Sequence, residues 1–472
     1  MKKYILIILC CLTSFPLWSY NVNMIVEHYS VDQGLPNNTV NCTLKDRDGF
    51  IWFGTWYGLC CFDGVKFKTF NKQEHDSDVP PRKIQRIVED KNGYIWVKTI
   101  DRKLYVFNKV TECFHAVYDD MKNYSENIQV IKLQNTAEGD VLLLTKDKNL
   151  LLAGVDEKGQ VTIKILFDSR DEINKHDYTL KHHVLCETEE YISWIGTDYK
   201  VSAVHKGAEL ASRPADFITS KINSGDKDSF TSFFEDGRKV WVGDRAGIFY
   251  SIDVRTGLVN RYVLSEIKGA ISNLLVTPAG YVYLSVAGQG TYEYDLAERR
   301  LQKINTEMND AMVTHAFIDQ YDKIWFHENE KALIYYDPLN HTAKRFPFTM
   351  FGKITTLYSE DAGERGLFFL SPAGEAWLFD REHAEMVYIN KLKQLSNDRA
   401  NQQFYHLMLD NDGVLWLSSA DEGVYCMNFP KKQFNLLSLS PQSAGRENYA
   451  TGVRALFQSK SGDIWVGTRW QS

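Results

Sequence analysis

Short apolar runs alternate with short polar turns along most of this chain. Residues 39–70 show one complete cycle, in which Asp48-Gly49 and Asp63-Gly64 separate apolar segments. Asp-Gly between apolar runs is a hairpin signal, because glycine adopts the positive φ that tight turns need. The pattern predicts four antiparallel strands at 39–44, 50–54, 59–62 and 65–70. The local sequence pattern therefore predicts an all-β protein.

The same cycle recurs along the chain, and we number its copies as units one to ten. Each copy carries a large apolar residue in its second strand, at Trp52, Trp96, Leu142, Trp194, Trp241, Tyr283, Trp325, Phe368, Trp416 and Trp465. These anchors are spaced by roughly 46 residues, a period typical of β-propeller blades. The second strand is apolar at consecutive positions, so both of its faces must be covered. Neighbouring blades provide that cover, and we expect the tryptophans to be blade anchors buried between sheets.

Ten units exceed the four to eight blades with which propellers usually close. We therefore expect a seven-bladed first propeller over residues 22–347, with 24–31 as a latch strand in its last blade. Residues 348–472 would then form the first blades of a second, incomplete propeller. Unit ten contains only two predicted strands, which suggests a piece of a longer protein.

The N-terminal segment 1–20 has two lysines, a short apolar run and a polar end. This is the pattern of a secretory signal peptide, with cleavage expected near Ser19. The alternative, a membrane anchor, is disfavoured because the apolar run from Tyr4 to Leu12 is too short to cross ~30 Å of hydrocarbon. The sequence thus predicts export to the periplasm.

The formal net charge of the chain is −7, and it becomes more negative when Lys2 and Lys3 are removed with the signal peptide. Nucleic acid is therefore not an expected partner, since phosphate backbones require basic surfaces. An acidic polysaccharide would need a local basic patch, which the sequence does not locate. The cysteines after residue 20 are scattered, and we expect them to be free, buried thiols.

No catalytic motif or metal-ligand spacing is present in the sequence, so we expect no catalytic residue, no metal and no cofactor. Acidic pairs such as Asp46/Asp48 and Asp410/Asp412 have the composition of a glycosidase acid–base pair. They recur, however, in the turn between the first and second strands of most units. A residue that recurs in every blade has a structural role in the blade, and we therefore interpret these aspartates as turn caps.

Candidate ligand-binding residues come from the variable loops between second and third strands. In a propeller these loops lie on the same face as the crossings between blades. Aromatic rings beside cationic and amide groups suit sugars, because they offer a stacking surface and hydrogen-bond donors. Ordinary polar surface loops are the competing interpretation. The candidates are Trp56, Tyr57, Arg102, Tyr199, Arg245 and His327.

The segment "GLPNNTV" (34–40) and the pattern D-x-x-G-x-I-W-x-G-T-x-x-G-L that follows it resemble the two-component regulator propeller repeat. Such repeats form the periplasmic sensor region of hybrid two-component regulators that control polysaccharide use in gut bacteria. The resemblance implies two seven-bladed propellers that bind an oligosaccharide, often within a homodimer. It also implies a membrane helix, a histidine kinase and a DNA-binding domain, which would follow residue 472.

Three functions remain open at this stage. The first is a non-catalytic, periplasmic module that senses an oligosaccharide for a two-component system. The alternative is a secreted propeller glycosidase or polysaccharide lyase. A third is a scaffold for another periplasmic protein.

Overall fold

The computed structural model describes most of the chain after residue 23. The described residues are 24–70, 80–122, 129–147, 149–167, 180–188, 190–196, 200–207, 217–221, 230–304, 313–328, 331–351, 358–361, 366–371, 374–391, 404–428, 452–459 and 464–469. By chain contacts the protein divides into two compact units, Met1–Phe429 and Pro430–Ser472.

After an initial strand β1 (Ile25–Tyr29), each of units one to eight forms a four-stranded antiparallel sheet whose strands follow chain order. Units one to three contain β2 (Val40–Lys45), β3 (Ile51–Thr55), β4 (Gly58–Phe62) and β5 (Phe67–Phe70); β6 (Ile84–Glu89), β7 (Ile95–Thr99), β8 (Leu104–Asn108) and β9 (Cys113–Ala116); and β10 (Val130–Asn135), β11 (Val141–Thr145), β12 (Leu150–Val155) and β13 (Val161–Phe167). Units four to six contain β14 (Leu180–Glu187), β15 (Tyr191–Gly196), β16 (Lys200–His205) and β17 (Phe217–Lys221); β18 (Phe230–Glu235), β19 (Lys239–Asp244), β20 (Ile248–Asp253) and β21 (Val259–Val263); and β22 (Ile271–Val276), β23 (Tyr281–Val286), β24 (Gly290–Asp295) and β25 (Arg300–Lys303). Units seven and eight contain β26 (Val313–Ile318), β27 (Ile324–Glu328), β28 (Ala332–Asp337) and β29 (Thr342–Pro347); and β30 (Tyr358–Asp361), β31 (Leu367–Leu370), β32 (Glu375–Asp380) and β33 (Glu385–Lys391).

The remaining strands belong to units nine and ten. They are β34 (Phe404–Leu409), β35 (Leu415–Ser419) and β36 (Val424–Asn428) in unit nine, and β37 (Gly452–Gln458) and β38 (Ile464–Arg469) in unit ten. The described helices are short: α1 (Tyr118–Met121) and the 3₁₀ helices Val31–Gln33 and Phe348–Phe351. The chain therefore has the all-β, four-stranded repeat of a β-propeller, as the sequence predicted.

The turn between first and second strands is built around one aspartate. In unit one, Asp46 Oδ1 accepts the backbone N–H groups of Asp48 and Phe50, while Oδ2 accepts the indole N–H of Trp52 at 2.8 Å. Gly49 adopts a φ of 92°, as this turn requires. The same aspartate–indole bond is present at Asp90–Trp96, Asp236–Trp241, Asp319–Trp325 and Asp410–Trp416. The interpretation as turn caps is confirmed for Asp46 and Asp410, whereas the side chains of Asp48 and Asp412 form ion pairs with Lys109 and Lys45.

The described second strands are largely buried, because both of their faces are covered. Every residue of β3, β7 and β35 is buried. Trp52 and Phe107 of the next sheet pack edge to face with ring centroids 5.6 Å apart. Trp325 packs in the same way on Phe379, at 4.6 Å. The indoles of Trp52, Trp96, Trp241, Trp325 and Trp416 are at most 5% exposed.

Sheet-to-sheet packing closes on itself within the first compact unit. Apolar clusters join each sheet to the following one, from unit one through unit nine. A final cluster joins unit nine to unit one, with Phe53 and Trp416 at a centroid distance of 5.9 Å. Among the described residues, nine four-stranded sheets thus form one continuous cycle of contacts.

Strand β1 completes the ninth sheet by pairing antiparallel with β36, with Glu27 opposite Cys426. His28 reinforces this pairing: its ring stacks on Tyr425 at 4.5 Å and its Nε2 lies 2.6 Å from the carbonyl of Glu422. The latch strand expected from the sequence is present. Its partner differs from the expectation of closure on the unit ending at 347.

The seventh sheet already contains four strands of its own chain segment, and its outer strand β29 ends at Pro347. The segment that follows continues the core, since Phe348 and Phe351 pack with Trp325 and Phe369. The expected division at 347/348 therefore lies inside the first compact unit, which extends to Phe429. The sequence repeat predicts how many units the chain contains. The sheet with which the latch strand β1 pairs depends instead on which sheet has a free edge strand in the folded protein.

Unit ten belongs to the second compact unit and consists of the two-stranded sheet β37–β38. Phe457 and Trp465 lie directly opposite each other on its two strands and are 65% and 66% exposed. The expectation that Trp465 is a buried anchor is wrong, because its side chain is exposed in this two-stranded sheet. The side chain of Trp194, another expected anchor, lies outside the described part of the structure.

Candidate functional site

Consecutive strands of each sheet run in opposite directions, so successive turns lie on opposite faces of the repeat. The turns between second and third strands, together with the crossings from one unit to the next, lie on what we call the second-turn face. The turns between first and second strands, and between third and fourth strands, lie on the opposite, first-turn face. The candidates taken from the sequence belong to the second-turn face.

Trp56 and Tyr57 form the tip of the β3–β4 hairpin, where their side chains are 43% and 61% exposed. Hydrogen bonds within the turn hold its backbone in place. Thr55 Oγ1 accepts the N–H of Tyr57 and donates to the carbonyl of Gly58 at 2.8 Å. The hairpin thus presents two adjacent aromatic rings to solvent on a fixed backbone.

Backbone hydrogen bonds connect this hairpin to the next unit through Lys83, which precedes β6. The N–H of Lys83 donates to the carbonyl of Trp56 at 3.0 Å, and Ile100 donates to the carbonyl of Lys83 at 2.9 Å. Lys83 Nζ lies 5.4 Å from the centre of the Trp56 ring, within the range of a cation–π contact. The second-turn hairpins of units one and two are therefore neighbours, bridged by a lysine.

Arg102 lies in that second hairpin, exposed and in the left-handed backbone region with φ 69°. Its carbonyl accepts the N–H of Val130 of unit three at 2.9 Å. The structure therefore brings Arg102 to the same edge of the face as Trp56 and Tyr57. Lys83 is a residue of this edge that the sequence pattern did not indicate, because it belongs to a crossing and not to a hairpin.

The other candidates lie elsewhere. Arg245 is exposed on the hairpin of unit five, and no described contact joins it to Trp56 or Arg102. His327 is half-buried within β27 opposite His315, and not in a loop as expected. Burial and the nearby His315 lower the pKa of His327, which favours its neutral form. Tyr199 lies outside the described residues.

On the first-turn face, Asp46, Asp48 and Glu89 place carboxylate oxygens within 4.8 Å of one another. Lys109 occupies the centre of this group, with Nζ 3.1 Å from Asp46 Oδ2, 2.7 Å from Asp48 Oδ2 and 2.8 Å from Glu89 Oε1. Burial opposes the charged form of Lys109, but hydrogen bonds to Asp48, Glu89 and Asp46 outweigh it and raise the pKa of the lysine. The cation position of this cluster is thus filled by an ammonium group.

A groove of about 850 Å³ lies beside this cluster, between units one and two. Its wall combines Phe50, Tyr94 and Phe70 with the charged turns around Lys66 and Lys68. It is separate from the second-turn face, and Lys68 is already paired with Glu112. The groove therefore adds no partner to the candidate aromatic site.

The described cysteines, Cys42, Cys60, Cys61, Cys113 and Cys426, are free. Burial raises the pKa of the Cys42 and Cys60 thiols to about 12, so both remain protonated at neutral pH. These thiols serve as small apolar groups in the core.

Comparison with known proteins bears on the hairpin that carries the candidate aromatics. Residues 34–57 match the family model described as Two component regulator propeller. The matched segment contains Asp46, its partner Trp52 and the exposed pair Trp56 and Tyr57. No curated protein matches the chain at the level of sequence.

Solved structures with a similar fold include extracellular domains of two hybrid two component systems from B. thetaiotaomicron. BT3049 is 18% identical, with 94% of this chain and 58% of that chain covered and a TM-score of 0.34. BT4673 is 13% identical, with 93% and 69% covered and a TM-score of 0.36. BamB from Moraxella catarrhalis is 12% identical, with 88% and 100% covered and a TM-score of 0.40.

This chain thus spans about three-fifths of the length of the BT3049 domain, 58%. Within the described residues, no helix combines the length and the hydrophobicity that crossing a membrane requires.

Proposed function

We propose that this chain is the extracytoplasmic ligand-sensing part of a two-component signalling protein and that it binds an oligosaccharide. The observation that carries the proposal is the two-component regulator propeller match at 34–57, which coincides with the exposed aromatic hairpin. Periplasmic location, export through residues 1–20 and pairing into a homodimer belong to the same proposal.

The hairpin chemistry supports sugar binding. Trp56 and Tyr57 offer apolar ring faces, on which a pyranose can stack, and the neighbouring Lys83 and Arg102 offer donors for hydroxyl groups. A binding role is favoured over hydrolysis because one carboxylate of each recurrent acidic pair is engaged in its turn. Asp46 and Asp410 each use their carboxylate to hold backbone N–H groups and an indole.

The test is calorimetric titration of the full chain with a panel of oligosaccharides. Replacing Trp56 or Tyr57 by alanine should weaken binding of an active glycan by about tenfold, since each change removes a stacking surface. Tyr321→Ala is the matched control, because Tyr321 is 44% exposed on the opposite, first-turn face. It should leave the affinity unchanged.

Absence of heat with every glycan would contradict the proposal, and so would equal losses in the Tyr57 and Tyr321 variants. Location is tested separately, by mass spectrometry of the protein recovered from the periplasmic fraction. Removal of about 20 N-terminal residues is the expected result.

A further inference from the structure

Two cations lie side by side on the first and second strands of unit two. Arg86 of β6 and Lys98 of β7 are register partners in the antiparallel pair. Like charges directly opposite each other destabilise a sheet. Lys98 is also only 5% exposed, and its Nζ donates to a neutral acceptor, Gln85 Oε1. The sheet therefore contains a buried ammonium group on the strand next to Arg86, whose own side chain is exposed.

The surroundings of this pair add no described compensating charge. Burial and the nearby Arg102 both lower the pKa of Lys98. Arg86 also lies close enough to unit nine to act on His406, whose pKa is lowered to about 4 by burial and by Arg86. His406 Nδ1 is buried and has no hydrogen-bond partner in the structure. Positive groups and an unpaired ring nitrogen thus converge from two units.

Several other partly buried cations of the fold are paired with carboxylates. Lys109 contacts three carboxylates, Arg381 contacts Asp319 and Asp361, and Arg345 contacts Glu328. Over the described ranges, no ion pair involves the set Lys83, Arg86, Lys98 and Arg102. A charge buried without a partner is costly, and a bound anion would remove that cost.

The pair lies close to the aromatic hairpin along neighbouring backbone segments. Lys98 directly precedes Thr99, the last residue of β7, and Arg86 is three residues from Lys83. Lys83 in turn is hydrogen-bonded to Trp56 and Ile100 on the second-turn face. The start of β6 and the end of β7, which carry Arg86 and Lys98, therefore lie next to the aromatic hairpin.

We propose that Arg86 and Lys98, with His406 beside them, bind the carboxylate or sulfate group of an acidic oligosaccharide whose ring stacks on Trp56. The inference rests on the proposed sensing function and specifies its ligand class. Sugar anions accept charge-assisted hydrogen bonds from both side chains. An acidic protein can thus offer an acidic ligand a local basic patch, formed by the consecutive strands β6 and β7.

The test compares matched probes by calorimetry on the full chain. A galacturonate tetramer and its methyl ester differ in the carboxylate charge, while a heparin-derived tetrasaccharide presents sulfate and a cellotetraose is neutral. We expect binding of a charged probe, weakened as salt concentration rises, with no binding of the ester or of cellotetraose. Preference for the galacturonate or for the heparin fragment distinguishes carboxylate from sulfate.

Variants locate the site. Lys98→Met and Arg86→Gln should each weaken binding of the charged probe by about tenfold or more, as loss of a hydrogen bond to a charged group does. Lys98→Met should also raise the melting temperature of the unliganded protein, because it removes a buried charge at nearly constant volume. Lys66→Met, at an exposed position on the first-turn face, is the control and should change neither quantity.

Equal affinity of wild type and Lys98→Met for every charged probe would overturn the inference. Tight binding of cellotetraose that is insensitive to Lys98→Met would also overturn it, while leaving the sensing function intact. Binding of inorganic sulfate that Lys98→Met abolishes, without binding of any glycan, would support the anion site and contradict oligosaccharide sensing.

Discussion

At the scale of single residues, the tryptophan repeat is a hydrogen-bonding repeat as well as an apolar one. At the buried anchors Trp52, Trp96, Trp241, Trp325 and Trp416, the indole N–H donates to an aspartate five or six residues earlier. Where the anchor is Leu142 or Tyr283, threonine replaces aspartate in the turn, at Thr136 and Thr277. A buried indole requires an acceptor, so the aspartate accompanies the tryptophan.

Asp90→Ala tests this pairing. Asp90 is 1% exposed and accepts hydrogen bonds from Trp96 Nε1 and from the backbone N–H groups of Asn92 and Tyr94. The change leaves these donors buried and unpaired, and should lower the free energy of unfolding by about 3 kcal/mol or more. Chemical denaturation measures it. Asp156→Ala, in a similar turn without an indole, should cost under about 1 kcal/mol; equal losses would refute the indole's role.

His406 makes stability depend on pH. Its pKa is about 4 in the folded protein, against an ordinary 6.5, because burial and Arg86 disfavour the charged ring. Between these values the unfolded chain binds the extra proton, so stability falls as the pH drops below 6.5. His406→Gln should remove about 2 kcal/mol of the loss between pH 7 and pH 5. His383→Gln, at an exposed site, should not reduce that loss; an unchanged decline in His406→Gln would contradict the assignment.

At the scale of the elements, charged side chains connect the first-turn ends of neighbouring sheets. Lys109 of unit two reaches Asp46 of unit one, and Arg381 of unit eight reaches Asp319 of unit seven. Lys45 of unit one contacts Asp410 of unit nine at 3.6 Å. The aspartate that holds an indole thus also receives a cation from the next sheet. In these units a single carboxylate joins turn, core and interface.

Lys109→Ala should show this connection directly. Its removal takes away the lysine that Asp46, Asp48 and Glu89 share and leaves Arg47 as the cation beside Glu89, so it should lower the free energy of unfolding by about 2 kcal/mol, less than for a fully buried pair. Millimolar Ca²⁺ should restore part of the melting temperature of this variant, because the vacated centre is lined by carboxylate oxygens. Lys68→Ala, which breaks an exposed pair, should respond weakly and show no Ca²⁺ effect. Equal Ca²⁺ responses would contradict the prediction.

At the scale of the whole molecule, the decisive contact is the pairing of β1 with β36, which joins residues about four hundred positions apart in the chain. It completes the ninth sheet and holds the cycle of sheets closed, since Val26 packs in the cluster shared by units eight and nine. Tyr29 packs in the cluster shared by units nine and one. One strand therefore contributes to two interfaces.

Glu27→Cys tests the closure. Glu27 lies opposite Cys426 in the antiparallel pair, at a Cα separation that a disulfide can span. Under oxidising conditions we expect the introduced thiol to form a disulfide with Cys426, identified by peptide mapping, and a gain in stability of about 3 kcal/mol. His28→Cys, opposite Tyr425, should form no such bond. An introduced thiol that remains free, or that pairs with another cysteine, would place the latch elsewhere.

Much of the fold could be predicted from local sequence. In unit one the predicted strands differ from β2 to β5 by at most two residues at each end, because turn aspartates, glycines and apolar runs act over a few positions. The sequence also predicted that Trp56 and Tyr57 lie in the turn between the second and third strands, since this hairpin is a local structure.

The tertiary structure decided which strands meet. Every sheet edge offers the same backbone N–H and C=O groups, so sequence alone does not select the edge on which β1 closes. Lys98 follows an ordinary apolar run in the sequence, and its burial beside Arg86 arises only when neighbouring sheets pack around it. Local turn and strand preferences thus determined the repeat. Long-range packing determined where the cycle of sheets closes and which charged side chains become buried.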